Sequence, residues 1–471
     1  MNPSPLTKHF MSQKSPAVGF NIQKKIAAFT LLVFLLLLPF ANAQEDIQTK
    51  QFELENGFKV FLVEKHTLPL INCVVAVNLG TKDESEETSG LVHILEHYIL
   101  FRGTELRSGT QVSQDIRRHG AYFNAHTGMD LAVFEISLPS EHADFALRNQ
   151  NEILFNLKIN QDDLDDEKKV ILEEISQVQD DPIKLATALV YQNLFQNHPY
   201  QKPIYGKKEV IESATAEQLE EFYRKFFIPQ NCTLAVVGDF QIEEMEHKIR
   251  EIFGGIKKGE TAERSFEKVR SLDKSVEVKQ EMDINQAYLL IGMTGPDFNH
   301  LSQYSIDVLV EILAGGVSPI LNARLRGRRN LIHNTWMRYG AFKYGGSILI
   351  FVTLDAKNVS LVQREAKNFL KDVRSFNFSK EDFLGESQLF ALDYLESAKN
   401  QIKFKFHRSQ EVGLSIATSL AMYMHLNEMS DRGSYLDYIN QLSSTDLRKV
   451  AQEYMSKGRY VIVTIVPKKK K

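Results

Sequence analysis

From Gln51 to Glu64 apolar and polar residues alternate around Asn56-Gly57, which predicts a hairpin closed by a tight primed turn. The apolar run from Ile71 to Leu79 ends at Gly80 and reads as a buried strand. A polar loop follows, and Ser89-Gly90 is a helix entry; glycine at Gly103 is expected to close that helix in the left-handed conformation. A second helix, Ser108 to His119, precedes strands Tyr122 to His126 and Leu131 to Leu138. Helical periodicity then covers Ser140 to Asn156, Gln161 to Gln179, a stretch from Pro182 to about Asn197, and Thr215 to Phe226, before a strand at Cys232 to Val237.

Beyond Lys257 the chain turns charged and loses apolar periodicity as far as about Lys274, the composition of an interdomain linker. The pattern then restarts. A strand at Ala287 to Met293, a helix through Leu313, strands around Asn334 to Tyr339 and Gly346 to Leu354, helices at about Val359 to Arg374, Ser379 to Gln401 and Ser443 to Met455, and a last strand Tyr460 to Val466 repeat the earlier order. The two halves therefore predict an α+β fold of two duplicated domains, each a mostly antiparallel sheet packed with helices. The expected divisions are a leader at 1–43, a first domain at 44–256, a linker at 257–274 and a second domain at 275–471.

Length agrees, since 471 residues exceed what one core usually organises. A net charge of -4 with both signs interspersed gives no reason to expect nucleic-acid binding. Lys24 and Lys25, the uncharged run Ile26 to Phe40 and Ala41-Asn42-Ala43 have the order of a cleavable export signal. Export to the periplasm follows, with a membrane anchor as the alternative if the segment is retained. Cys73 and Cys232, the two cysteines of the chain, lie in apolar strand-like runs and are expected as buried free thiols.

Candidate chemistry centres on His93-Ile94-Leu95-Glu96-His97. His93 and His97 stand four apart, so on a helix both imidazoles project from one face and can meet a single ion. Glu96 beside them has the chemistry of a general base acting on a water that attacks a carbonyl. Further on, Glu167 and Glu174 are seven residues apart, two helical turns, and share a face.

These residues, with Leu100-Phe101-Arg102-Gly103-Thr104 and Asn124-Ala125-His126-Thr127, resemble the pitrilysin, insulysin and mitochondrial processing peptidase family of zinc peptidases. The resemblance spans the chain after its leader. It implies a clam-like chamber closed by the two domains, one Zn2+ per chain held by His93, His97 and Glu174, Glu96 as general base, and Glu167 as a carboxylate supporting the site. Glu174 stands 77 residues after His97, the distance at which the family places its third ligand. Three protein ligands leave a fourth tetrahedral position for water. The family's substrate strand corresponds to the stretch containing Asn124 and Ala125, where an extended peptide adds to a sheet edge.

The second half departs from that pattern. The family often carries an arginine and, seven residues later, a tyrosine that reach the substrate; here the stretch holds Arg326 and His333. An imidazole can donate a hydrogen bond but reaches less far than a phenol. The resemblance implies peptides or unfolded polypeptide segments as substrates, and a homodimer or a heterodimer with a second family member. The alternatives are a catalytic subunit active only with that second member, and a non-catalytic binding subunit.

Overall fold

The computed structural model describes residues 47–261, 264–316, 319–326, 330–375, 390–426, 435–455 and 458–468. The expected leader, the residues 327–329, the first part of the helix expected from Ser379 and the last three lysines lie outside them. Strands β1 (Gln48–Glu53), β2 (Lys59–Glu64) and β3 (Leu70–Val77) lead into helix α1 (Leu91–Phe101). Then come α2 (Gly109–Arg118), β4 (Tyr122–Thr127), β5 (Ala132–Pro139), α3 (Ala143–Phe155), α4 (Gln161–Asp180), α5 (Pro182–Leu194), α6 (Lys208–Ser213), α7 (Ala216–Phe226), β6 (Cys232–Gly238) and α8 (Ile242–Phe253).

The second half runs β7 (Val276–Met282), β8 (Ala287–Gly295), α9 (Ser302–Ala314), α10 (Ile320–Arg326), β9 (Asn334–Phe342) and β10 (Gly345–Leu354). It ends with α11 (Val359–Ser375), α12 (Phe390–Ser409), α13 (Gly413–Leu426), α14 (Tyr435–Gln441), α15 (Ser444–Tyr454) and β11 (Val461–Pro467). Two mixed, mostly antiparallel sheets result, β1-β2-β6-β3-β5-β4 and β7-β11-β8-β10-β9. The duplication is visible in the pairing. In each sheet one early strand lies parallel to the last strand, β2 beside β6 and β7 beside β11, and every other pair is antiparallel.

Each sheet packs one face against its own helices. Val75, Phe134, Leu147, Ile171 and Phe226 belong to the first core, and Ile291, Leu309, Ile350, Phe369 and Val450 to the second. The opposite faces are covered by exchange. From the first half, α5 lays Ala186, Val190 and Leu194 on Leu290, Phe351 and Val463 of the second sheet. From the second half, α13 lays Ala417, Ala421 and Leu426 on Val74, Ala76, Ala235 and Val237 of the first. Small alanines let a helix approach a sheet closely, so both faces become core. From Gln48 onward the chain is accordingly one compact unit.

Polar contacts join the halves at the same place. The Asp130 carboxylate accepts from the Tyr200 hydroxyl at 2.6 Å and from the Lys343 backbone N–H at 2.9 Å. The charged segment expected as linker carries no helix or strand among its described residues, and Arg264 within it pairs with Asp83 at 2.6 Å.

Several local expectations need correction. The first hairpin has no two-residue turn: Glu53 pairs with Lys59, so Leu54 to Phe58 form the loop, and Gly57 is its one residue at positive φ. Asn56 is recruited elsewhere, its amide donating to the carbonyls of Phe253 and Ile256 beyond α8. Gly103 is not left-handed; α1 closes on an extended Arg102. The sequence pattern predicts no element at α6, α8, β7, α10, α13 or α14. Cys73 and Cys232 are buried free thiols, and burial pushes Cys73 up to about 12.

Candidate metal centre

Helix α1 enters from the core of the first sheet, directly after β3, and its start is unusual. Gly90 caps it at φ 107, and a Cβ there would meet Gly206 Cα at 2.9 Å, so both the conformation and the close approach require glycine. No side chain of the cap residue serves the helix. Instead the buried Glu84 carboxylate accepts the Val92 N–H at 3.0 Å, a remote cap for one of the orphan donors. Burial pushes Glu84 up to about 8 despite those backbone donors. By its sequence this stretch is only a polar loop, and nothing in its spacing marks Glu84 as a cap.

Helix α4 supplies the facing side chains. Asn160 caps it by accepting the Asp163 N–H at 2.9 Å, and the Asn160 N–H donates to the Tyr98 hydroxyl of α1 at 2.9 Å. Leu164, Glu167, Ile171 and Glu174 form one stripe at helical spacing, and the two apolar members are fully buried. Burying that stripe turns both glutamates towards α1.

Nε2 of His93 and Nε2 of His97 lie 3.6 and 3.5 Å from the same oxygen, Oε2 of Glu174. The two imidazoles stand 4.6 Å apart at 71°. Among the described residues these three form the one cluster of histidine, cysteine and acid side chains able to hold a metal ion, with ligand atoms within 4.8 Å of one another. A tetrahedral ion with bonds of about 2.0–2.1 Å needs ligand atoms about 3.4 Å apart. The donor set fits zinc, and the two histidine–glutamate distances are close to that spacing.

The two imidazoles hold a proton differently. Burial, and then the neighbouring His97, push His93 down to about 3, leaving it neutral. For His97 burial works downward, but the Glu167 hydrogen bond and the surrounding carboxylates outweigh it and raise it. Glu167 itself is buried, which alone would raise it; its hydrogen bond to His97 Nδ1 at 3.3 Å and the Arg102 charge hold it below the usual carboxylate range. Its other oxygen pairs with Arg102 Nε at 2.7 Å. Fixing Nδ1 in this way leaves the Nε2 lone pair of His97 facing Glu174. Nδ1 of His93 is buried without a hydrogen-bond partner among the described residues.

Glu96 is on the same turn, half-buried rather than enclosed. Asn124 and Ala125 lie on β4, the outer edge of the sheet, beside α1. The Asn124 amide donates to the Tyr122 hydroxyl at 3.1 Å, while the Ala125 side chain is core. Arg326 is exposed at the end of α10, and His333 pairs with Asp355 at 3.3 Å with its side chain 47% exposed. No hydrogen bond or ion pair among the described residues joins either to His93, His97 or Glu174. Phe101 is 58% exposed and edge-on to His97 at 5.8 Å. Its place four residues after His97 was the signal for this. Tyr205, which no motif marks, stands edge-on to His93 at 5.0 Å and lines a mostly apolar cavity of about 800 Å³ between α4, α5 and the loop before α6.

Fold and centre together define an α+β protein of two matching halves, one of which holds a His-His-Glu site of metallopeptidase type. The chain belongs to the M16 family of peptidases: residues 59–208 match the family model described as insulinase (peptidase family M16), and residues 213–387 the one described as the peptidase M16 inactive domain. It is similar to an uncharacterized zinc protease of Rickettsia bellii, 25% identical over 86% of this chain and 94% of that protein. An uncharacterized zinc protease of Bacillus subtilis is 23% identical over 85% of this chain and 93% of that one. In fold the chain resembles a protease from Helicobacter pylori, with a TM-score of 0.81 at 22% identity over 89% of this chain and 100% of the other. A peptidase M16 inactive domain from Pseudomonas fluorescens gives a TM-score of 0.77 at 20% identity, over 90% and 98%.

Proposed function

We propose that the protein is an exported zinc-dependent endopeptidase acting on peptides or unfolded polypeptide segments. The observation that carries this reading is the approach of His93 and His97 to within 3.6 Å of one Glu174 oxygen, with Glu96 on the same helical turn. His93, His97 and Glu174 would hold the zinc, which when bound polarises a carbonyl and acidifies water. Glu96 accepts the proton of the attacking water on its carboxylate and passes it to the leaving amine nitrogen. Glu167 keeps His97 in one tautomer and orientation. The free edge of β4 pairs with the substrate backbone near Asn124 and Ala125, and fixes the register of its carbonyls. The apolar cavity beside Tyr205 accepts an apolar side chain of that substrate.

Two expectations test these roles. Glu167→Gln keeps the size of the side chain but removes the charge that orients His97, and should weaken zinc about 10–100-fold. Competition with a chromogenic chelator measures this, and unchanged affinity would remove Glu167 from the role. The purified chain should also cleave a mixture of unstructured peptides, read by mass spectrometry, and lose that activity on chelation and regain it with zinc. Cleavage that survives thorough chelation would sink the metallopeptidase reading.

A second reading is favoured by one observation, the engagement of His333 with Asp355. If the arginine and hydroxyl donor reaching the substrate come from another family member, the chain is the zinc-holding subunit of a heterodimer. Silence alone and cleavage after mixing would then be the result of the same assay.

A further inference from the structure

The duplication places α9 in the second half where α1 stands in the first. Each follows the strand flanked by the last strand and by the strand of the outer hairpin, and each packs under the edge strand, β4 or β9. Counted from their first residues, the third and sixth positions are His93 and Glu96 in α1, and Tyr304 and Asp307 in α9. The second half thus keeps a carboxylate at the position of Glu96 and has an aromatic ring in place of the first imidazole.

Around that carboxylate lies a cavity of about 770 Å³. Tyr304, Asp307 and Glu311 of α9 line it, with Tyr339 of β9, Phe406 of α12 and Tyr435 of α14. The rings are in sequence: Tyr304 and Tyr435 are 5.5 Å apart, and Tyr435 and Phe406 5.7 Å. Tyr435 donates to Asp307 at 3.2 Å. Two cations also line the cavity: Lys405 pairs with Glu311 Oε2 at 2.5 Å, and Arg338 lies over the Trp336 ring at 4.8 Å. Asp307 has no ion pair among the described residues, and Glu311 Oε1 is buried without a hydrogen-bond partner among them. Burial pushes Asp307 up to about 7.

A deep carboxylate without a counter-charge favours a cation, and aromatic faces attract one. A bare metal ion is disfavoured, because no histidine, cysteine or third acid joins the two acids among the described residues. We propose that this cavity of the second half binds an organic ammonium ion carried on an apolar body, its charge on Asp307 and its body among Tyr304, Tyr339, Phe406 and Tyr435. The ammonium belongs either to a free amine or to the lysine side chain of a peptide.

Calorimetric titration of the full-length chain at pH 8 with phenethylamine, and separately with N-acetyl-lysine methylamide, tests this. Saturable binding of at least one is expected, with a dissociation constant below about 1 mM, unchanged by a chelator and weakened at least about tenfold by Asp307→Asn. Binding of phenethylamine alone assigns the site to free amines; binding of the lysine compound assigns it to peptides. Should Asp307→Asn not fold, Ser419→Trp, which brings bulk into the cavity from α13, must abolish binding. Binding of neither compound, or binding untouched by the variant that folds, overturns the proposal. The chelator arm separates it from the reading of the His93 site, which can fail without affecting this result.

Discussion

Glu96→Gln is expected to leave the zinc content unchanged and to lower peptide cleavage by about 10²–10⁴-fold, the usual worth of a general base. The argument is geometric. His93 and His97 turn their Nε2 atoms to Glu174, so a change at Glu96 removes no ligand atom. Gln keeps the size of the half-buried side chain and loses the ability to take a proton. The effect should fall on kcat rather than KM, because the proton moves in the transition state. Loss of zinc in this variant would mean that Glu96 is a ligand, and undiminished cleavage would place the base elsewhere.

Ala421→Asp is expected to destabilise the protein by at least about 3 kcal/mol. Ala421 is fully buried on α13, against Val74, Ala76, Ala235 and Val237 of the sheet belonging to the other half. A carboxylate there has no partner and no water. The exposed neighbour Ser415 on the same helix provides the control, since Ser415→Asp should change stability by less than about 0.5 kcal/mol. Urea unfolding followed by fluorescence compares the two. Equal midpoints would show that α13 does not carry the first sheet's second face, and that the halves do not depend on each other in this way.

That dependence also explains what the sequence could and could not disclose. Apolar runs and period-3.6 patterns are local, and they marked β3, α1, α4 and the repeated order of the two halves. The same pattern says that α5 and α13 bury a face without saying whose sheet lies beneath. For α13 even the local signal is weak: its contact residues are small, Ala417 and Ala421, and its polar and apolar sides contrast little. The first turn failed for a related reason. Asn56-Gly57 suits a primed turn, yet the Asn56 amide is claimed by carbonyls about 200 residues away.

The site divides along the same line. His93, Glu96 and His97 were legible from helical spacing, which also puts Glu167 and Glu174 on one face; that these two belong to the site came from the resemblance, and the fold brings α1 against α4. Glu84, Arg102 and Tyr205 act across loops or between elements, and no spacing encodes them. Arg326 and His333 came from resemblance alone, and the structure leaves them outside the contacts of the centre.

The most direct test of the account is the metal content of the purified protein by inductively coupled plasma mass spectrometry. One zinc per chain is predicted, with loss of the metal in His97→Ala and Glu174→Gln. A wild-type chain that takes up no zinc when supplied with it, or ligand variants that keep it in full, would contradict the assignment of His93, His97 and Glu174.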